Sequence, residues 1–261
     1  MIKLIASDID GTLVTDGSHE VNPELYDMIL KLRAKGIQFA AASGRQWASI
    51  ESIFDPIKEK VFYLSDNGAY VGCHGRNLFT NPIDRQTVMD MIQDVRNMEG
   101  LEVMISGPDT VYLETEDQEF IDWLVNGYKF RVKQVEDLTR VDSEFIKISV
   151  YRKTDVEAHT RALREKYADR LKITIAGDMW MDCMRPGINK GQAVKLLQES
   201  LGIKPEETMA FGDQLNDIEM LKQAYYSFAV GNAREEVKAA ARFQADTNVN
   251  DGVLKILKLL L

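Results

Sequence analysis

Cysteine, histidine and proline are scarce in this 261-residue chain, which holds 2, 3 and 6 of them. Cys73 and Cys183 are too few for a disulfide framework, and no Cys/His group has the spacing of a zinc site. The histidines are scattered and read as surface residues rather than ligands. No apolar run is long enough to span a bilayer, the closing Leu259-Leu260-Leu261 included. Asp8 and Asp10 interrupt the apolar start, which therefore lacks a signal-peptide pattern, and a cytoplasmic chain without membrane contact is expected. Basic charge is in deficit as well. With 32 Lys and Arg against 41 Asp and Glu, the formal net charge of -9 argues against a nucleic-acid partner. A small phosphorylated ligand is still allowed, because it needs only one or two well-placed donors. Apolar residues at 45% and charged residues at 28% are ordinary globular values, and the length permits one large α/β domain or two smaller ones.

What is present begins with the apolar run Ile2 to Ser7, read as a buried strand, which ends in Asp8-Ile9-Asp10-Gly11-Thr12. Buried carboxylates are costly unless something positive meets them, so this corner asks for a partner. A loop with Asp16, Gly17 and Ser18 follows. Asn22 is placed as the N-cap of a helix, with Pro23 at its first position and Leu25, Met28, Ile29 and Leu32 on one face. Gly36 closes it, and Ile37 to Ala42 form a second strand, so the unit is βαβ and its sheet parallel. Ser43-Gly44-Arg45 ends that strand, a helix runs from about Gln46 to Phe54, and a third strand leads into Asp66-Asn67-Gly68-Ala69.

From about Asn81 the texture changes to short alternating strands with helices near Asp117–Asn126 and Asp155–Tyr167. This suits an antiparallel sheet covered by helices on one side. The expected architecture is a discontinuous parallel-sheet core, residues 1–81 and 186–261, with an α+β domain inserted at 82–185 and Pro186-Gly187 as the return hinge. In the second core segment, a helix after Lys190-Gly191 presents Ala193, Leu196, Leu197 and Leu201. A strand from Thr208 to Phe211 then leads into Gly212-Asp213-Gln214-Leu215-Asn216-Asp217.

Asp8/Asp10, Ser43/Gly44, Lys190 and Asp213/Asn216/Asp217 thus each fall at a strand end or a helix start. In an open parallel sheet the carboxyl ends of the strands form the ligand crevice, so these segments converge if the topology holds. Taken singly, each is explained as well by a helix cap, a solvated lysine or a capped turn. Together they fit phosphoryl transfer. Asp8 and Asp213, with Asp217 as an open third, would repel unless a divalent cation joined them, and all-oxygen ligation favours Mg²⁺. Ser43 and the Gly44 amide, at a helix N-terminus, suit an anion, and Lys190 adds a point charge.

These four segments resemble the motifs of the haloacid dehalogenase superfamily. The insert, with Asn67-Gly68-Ala69 and Val230-Gly231-Asn232-Ala233, resembles its Cof-type phosphatases. The resemblance covers the whole chain and implies a Rossmann-like core with an α/β cap, Mg²⁺ dependence and hydrolysis through an aspartyl-phosphate. Carried over, it makes Asp8 the nucleophile and Asp10 the general acid and base. Asp8, the Asp10 carbonyl and Asp213 would hold the metal. Ser43, Gly44, Lys190, Asn216 and the Ile9 amide would contact phosphate, with Asp217 orienting Lys190 or a metal-bound water. Gln214 departs from the small residue or Asn usual at its place, while its neighbours in the motif are intact. Asp10 argues against a dehalogenase, which has no leaving oxygen to protonate. A phosphomutase shares the scaffold, and a phosphoacceptor signalling domain shares the Asp-hydroxyl-Lys set, though the long insert suits a lid over a small substrate. Specificity is expected from Arg45, Trp180, Asp182 and Arg185, against which stand a packing role for Trp180 and a solvated one for Arg185. Sugar, nucleotide, cofactor and polyol phosphates all meet these requirements.

Overall fold

Every residue of the first strand, β1 (Leu4–Asp8), is buried, and it lies at the centre of a sheet. The computed structural model describes residues 1–15 and 18–261, so Asp16 and Gly17 lie outside the described residues. α1 (Glu24–Ala34) follows; the Asn22 side chain accepts the Glu24 amide at 3.0 Å, and Leu25, Met28, Ile29 and Leu32 are buried as their spacing requires. The chain continues through β2 (Gln38–Ala42), α2 (Trp47–Ile53), β3 (Phe62–Ser65), β4 (Tyr70–Cys73) and β5 (Arg76–Thr80). The insert then contributes α3 (Arg85–Arg96), β6 (Glu102–Ser106), β7 (Val111–Leu113), α4 (Gln118–Asn126) and β8 (Val132–Gln134). It goes on with β9 (Lys147–Tyr151), α5 (Val156–His159), α6 (Arg161–Tyr167), β10 (Lys172–Ala176) and β11 (Trp180–Met184). The chain closes with α7 (Lys190–Leu201), β12 (Thr208–Gly212), α8 (Ile218–Lys222), β13 (Tyr226–Ala229), α9 (Glu235–Ala240), β14 (Phe243–Gln244) and α10 (Gly252–Lys258).

Two compact units result, Met1–Phe79 with Asn189–Leu261, and Thr80–Ile188. In the first, the strand order is β14-β13-β12-β1-β2-β3-β4-β5, parallel from β14 to β3 with β4 antiparallel to β3. β1 therefore has β2 on one side and β12 on the other, a reversal of winding direction that opens a crevice at the carboxyl ends. The register pairs Asp8 with Ala42 and Ser7 with Phe211, which brings Asp8, Ser43 and the residues after Gly212 to one edge. On α7 the buried face is Ala193, Val194 and Leu197; Leu201, at the last position, is exposed. No helix among the described residues is long and apolar enough to cross a membrane.

The second unit has the order β10-β11-β9-β6-β7-β8 and differs from expectation in three respects. β7 and β8 pair in parallel, because α4 carries the chain back between them. Helices lie on both faces rather than one. On β6, Val103 and Ile105 join a core with Val88, Met91, Ile92 and Val95 of α3 and Leu163 and Tyr167 of α6, whereas Met104 packs with Phe120 and Leu124 of α4. The helix expected over Asp155–Tyr167 breaks at Thr160, whose backbone leaves the helical region at φ -102° and ψ 10°. α3 itself had a readable signal, its apolar spacing and the Asp84 cap that accepts the Thr87 amide at 2.9 Å.

Asp246, which leads from β14 towards α10, accepts Lys255 Nζ at 2.6 Å, the Thr247 amide at 2.7 Å and Asn250 Nδ2 at 3.2 Å. These bonds, that from Lys255 foremost, hold its carboxyl down to about 2. A carboxyl depressed in the folded state adds stability above its ordinary value of 3.8 and loses it as pH falls through the folded value. Asp246→Asn is therefore expected to lower the thermal midpoint at neutral pH only slightly, because solvent screens so exposed a group, and the gap to the parent should close towards pH 2. Thermal scans of both proteins across that range check it.

Candidate active site

Gly11 turns the chain out of β1 at φ +79°, and a Cβ there would strike the Asp213 carboxylate. Only glycine allows the two segments to approach so closely. Thr12 Oγ1 donates to Asp213 Oδ1 at 2.9 Å, and the Leu13 and Val14 amides both donate to the Ile9 carbonyl, which folds the loop back on itself. Asn232 Nδ2 holds the Gly11 carbonyl at 2.7 Å. Spacing alone gave no role to this support from Asn232.

Lys190 is the first residue of α7, whose N-cap Asn189 accepts the Gln192 amide at 2.9 Å. Its side chain is 1% exposed, and Nζ donates to Asp8 Oδ1 at 2.5 Å and to Asp217 Oδ1 at 2.6 Å. The other oxygen of Asp217 accepts the amides of Asp213 and Gln214, each at 3.0 Å. Asp217 thus ties the loop after β12 to the lysine. Burial by itself would lower the Lys190 ammonium, but attraction and hydrogen bonding from Asp217 and Asp8 outweigh it, and the lysine stays charged. Burial first, then repulsion from Asp217, pushes the Asp8 carboxyl well above its usual range despite Lys190. Burial raises Asp213 too, against the hydrogen bond from Thr12.

Asp8, Asp213 and Asp217, all buried, offer oxygen atoms within 4.8 Å of one another. One ammonium does not balance three such acids. The surplus negative charge and the all-oxygen donor set fit a hard divalent cation.

Asp10, two residues after Asp8, is half-buried, with Arg45 clamped on it in a bidentate pair. Arg45 Nε donates to Oδ2 at 2.8 Å and Nη2 to Oδ1 at 2.5 Å, while Nη2 also reaches the Ser18 carbonyl at 2.8 Å. Arg45 thus belongs to the surroundings of Asp10. Ser43 Oγ accepts the Arg45 amide at 3.1 Å. The expectation that Ser43-Gly44 sits at a helix N-terminus is corrected: α2 begins at Trp47. The carbonyls of Ser43 and Arg45 are taken by the amides of Asn67 and Asp66, which prevents them from opening a helix. Asn216 is exposed and donates from Nδ2 to Asn67 Oδ1 at 2.9 Å.

Trp180, Asp182 and Arg185 belong to the other unit. Trp180 stacks on Trp123 with centroids 6.1 Å apart, approaches Tyr151 at 4.9 Å, and donates from Nε1 to Tyr128 Oη at 3.3 Å. Asp182 accepts Ser149 Oγ at 2.6 Å and lies 3.8 Å from Lys147 Nζ, and Arg185 is exposed.

A family model described as haloacid dehalogenase-like hydrolase matches residues 5–257. Among curated proteins, the chain is 28% identical to 5-amino-6-(5-phospho-D-ribitylamino)uracil phosphatase YbjI of Escherichia coli, over 100% of this chain and 96% of that protein. It is 29% identical to the Bacillus subtilis phosphatase YcsE, named for the same compound, over 98% and 95% of the two. A crystal structure of a protein from Eubacterium rectale superposes with a TM-score of 0.93 at 37% identity, over 100% of this chain and 99% of the other. With the acids of two separated segments gathered beside one lysine from a third, at the crevice of such a sheet, the chain belongs to the haloacid dehalogenase-like hydrolases.

Proposed function

We propose that this chain is a Mg²⁺-dependent phosphatase of small phosphorylated metabolites, sugar phosphates or related monoesters, working through an aspartyl-phosphate on Asp8. That it is a hydrolase of phosphoric monoesters follows from its family and from relatives named as phosphatases. The cation, the intermediate and the substrate class are the proposal. The observation that carries it is the buried Asp8, held at 2.5 Å by Lys190 within reach of two further acids.

In this reading an Asp8 carboxylate oxygen attacks phosphorus, and the ester oxygen leaves with a proton from Asp10. Asp10 then takes a proton from the water that cleaves the acyl phosphate, which returns Asp8 and releases inorganic phosphate. Arg45, on both oxygens of Asp10, fixes the direction in which that carboxyl presents itself. Lys190 keeps Asp8 in place and adds positive charge beside the phosphoryl oxygens. Ser43, the amides of Ile9 and Gly44, and Asn216 would bind those oxygens. Asp8, Asp213 and the Asp10 carbonyl would hold Mg²⁺, which when bound neutralises charge on the phosphoryl group. Asp217 is assigned to orienting Lys190, given the 2.6 Å bond between them. The choice of leaving group is assigned to Trp180, Asp182 and Arg185 of the insert. We place the enzyme in the cytoplasm, where the free buried thiols Cys73 and Cys183 stay reduced.

The test is a panel of phosphorylated metabolites assayed with purified protein, with and without Mg²⁺. Turnover of at least one ester is expected, lost in EDTA and regained with excess Mg²⁺. The cation should also stabilise the fold. A carboxyl raised in the folded state costs stability as pH climbs from 3.8 towards its folded value, so the Mg²⁺-induced rise in thermal midpoint should be larger at pH 8 than at pH 5. Full activity in EDTA sinks the metal assignment.

A further inference from the structure

We propose that Asn67 is the positioning residue of the phosphate pocket, acting through Asn216, and that the turn carrying it sets the register of three separate segments there. The inference rests on the phosphatase reading above, in which Asn216 contacts the phosphoryl oxygens.

The observations begin with the backbone. After β3, three residues in succession adopt positive φ: Asp66 at 48°, Asn67 at 54° and Gly68 at 95°. Side chains disfavour this region, and two neighbouring non-glycine residues in it must be held by their surroundings. Here the holding bonds run to the Ser43–Arg45 segment: the Asp66 amide donates to the Arg45 carbonyl at 3.0 Å and the Asn67 amide to the Ser43 carbonyl at 2.9 Å. On its other side the turn is wedged against the start of α7, where a Cβ on Gly68 would stand 2.6 Å from the Asn189 carbonyl oxygen and 3.1 Å from Ala193 Cβ. Lys190 lies between those two residues.

The side chain of Asn67 completes the set. It lies over Gly44, where a Cβ would meet its amide nitrogen at 3.3 Å, and its Oδ1 accepts Asn216 Nδ2 at 2.9 Å across 149 residues of sequence. An exposed asparagine with no partner samples several rotamers and must be ordered when a ligand binds. Held by Asn67, the Asn216 amide keeps one N–H on its partner and leaves the second for an anion. The strained turn thus fixes the separation between the Ser43-Gly44 corner and the Asn216 amide before any phosphate arrives.

Asn67→Gly tests this, because glycine keeps the left-handed backbone while the amide is removed. With p-nitrophenyl phosphate as substrate, KM and the inhibition constant of inorganic phosphate should both rise about fivefold to tenfold, the scale of one lost neutral hydrogen bond. kcat and the Mg²⁺ midpoint should stay within about twofold, a split that a general loss of structure would not produce. Asn216→Ala should raise KM and the phosphate inhibition constant at least as far, and adding Asn67→Gly to it should change KM by less than about twofold, since the first residue acts through the second. Should Asn67→Gly fold poorly, Asn67→Asp serves instead: it tolerates the backbone and sets a carboxylate beside Gly44, so KM should rise at least as far. An unchanged KM in a folded variant, or multiplying effects in the double variant, overturns the inference alone. Absence of any ester turnover by the parent protein with Mg²⁺ overturns the phosphatase reading, and this inference with it.

Discussion

Asp8→Asn removes phosphatase turnover by a factor on the order of 10⁴ or more and leaves the fold in place. Loss of activity follows from chemistry. An amide oxygen is a poor nucleophile towards phosphorus, and the negative charge that Lys190 meets at 2.5 Å is gone. The stability side is less intuitive. Asp8 is buried, and burial together with repulsion from Asp217 raises its carboxyl well above the ordinary range. The folded chain without metal therefore holds the proton of Asp8 more tightly than the unfolded chain does. Its stability is lost as pH rises from 3.8 towards the folded value. Asparagine has nearly the shape of the protonated acid and still accepts from Lys190, so in EDTA at neutral pH the variant should melt no lower than the parent. Adding Mg²⁺ should then raise the parent's midpoint by more than the variant's, because the variant lacks one of the proposed metal ligands. The assay is steady-state turnover beside thermal melts in EDTA and in Mg²⁺. Full turnover by Asp8→Asn would end the mechanism proposed here.

Lys190→Met produces a large loss of stability in the absence of metal. Lys190 is 1% exposed and is bonded to both Asp8 and Asp217, themselves almost fully buried. Methionine fills a similar volume but leaves the two carboxylates facing each other without a counter-charge. Breaking a buried pair in this way costs about 3–5 kcal/mol, where an exposed ion pair would cost under about 1 kcal/mol. The loss should narrow as pH falls, since Asp8 then takes up a proton and the repulsion ends. It should narrow also with Mg²⁺, which supplies the missing positive charge. Denaturant or thermal unfolding in EDTA at pH 8 and at pH 5, and again with Mg²⁺, reads all three effects. A midpoint unchanged from the parent in EDTA at pH 8 would show that the buried triad of Asp8, Lys190 and Asp217 does not hold the crevice together. Activity should fall with stability at saturating Mg²⁺ too, because in the proposed mechanism the cation does not replace the charge Lys190 brings to the phosphoryl oxygens.

Local pattern made much of the core legible. β1 is an apolar run buried along its whole length, and such a run ending in acids announces a strand whose last residue faces a crevice. The buried stripe of α1 and the Asn22 cap were equally readable, since both are set by neighbours within four residues. α3 carries the same kind of signal, an apolar stripe and the Asp84 cap, within a segment otherwise of short alternating strands. The second unit was harder. The parallel pairing of β7 with β8 and the placing of α4 opposite α3 depend on which face of each short strand finds a partner, and three residues of strand do not specify that.

By its own order of residues, then, the chain determined an α/β architecture with parallel strands, and which acids and which lysine stand at strand ends. Alternation and helical period are local properties, written in a few consecutive positions. Tertiary structure alone decided that Asp217 shares Lys190 with Asp8, that Arg45 clamps both oxygens of Asp10, and that Asn67 grips Asn216. Those contacts join positions up to 182 residues apart. They arise because β12 and β2 flank β1 in register and carry their loops to one edge, a juxtaposition that no local periodicity encodes.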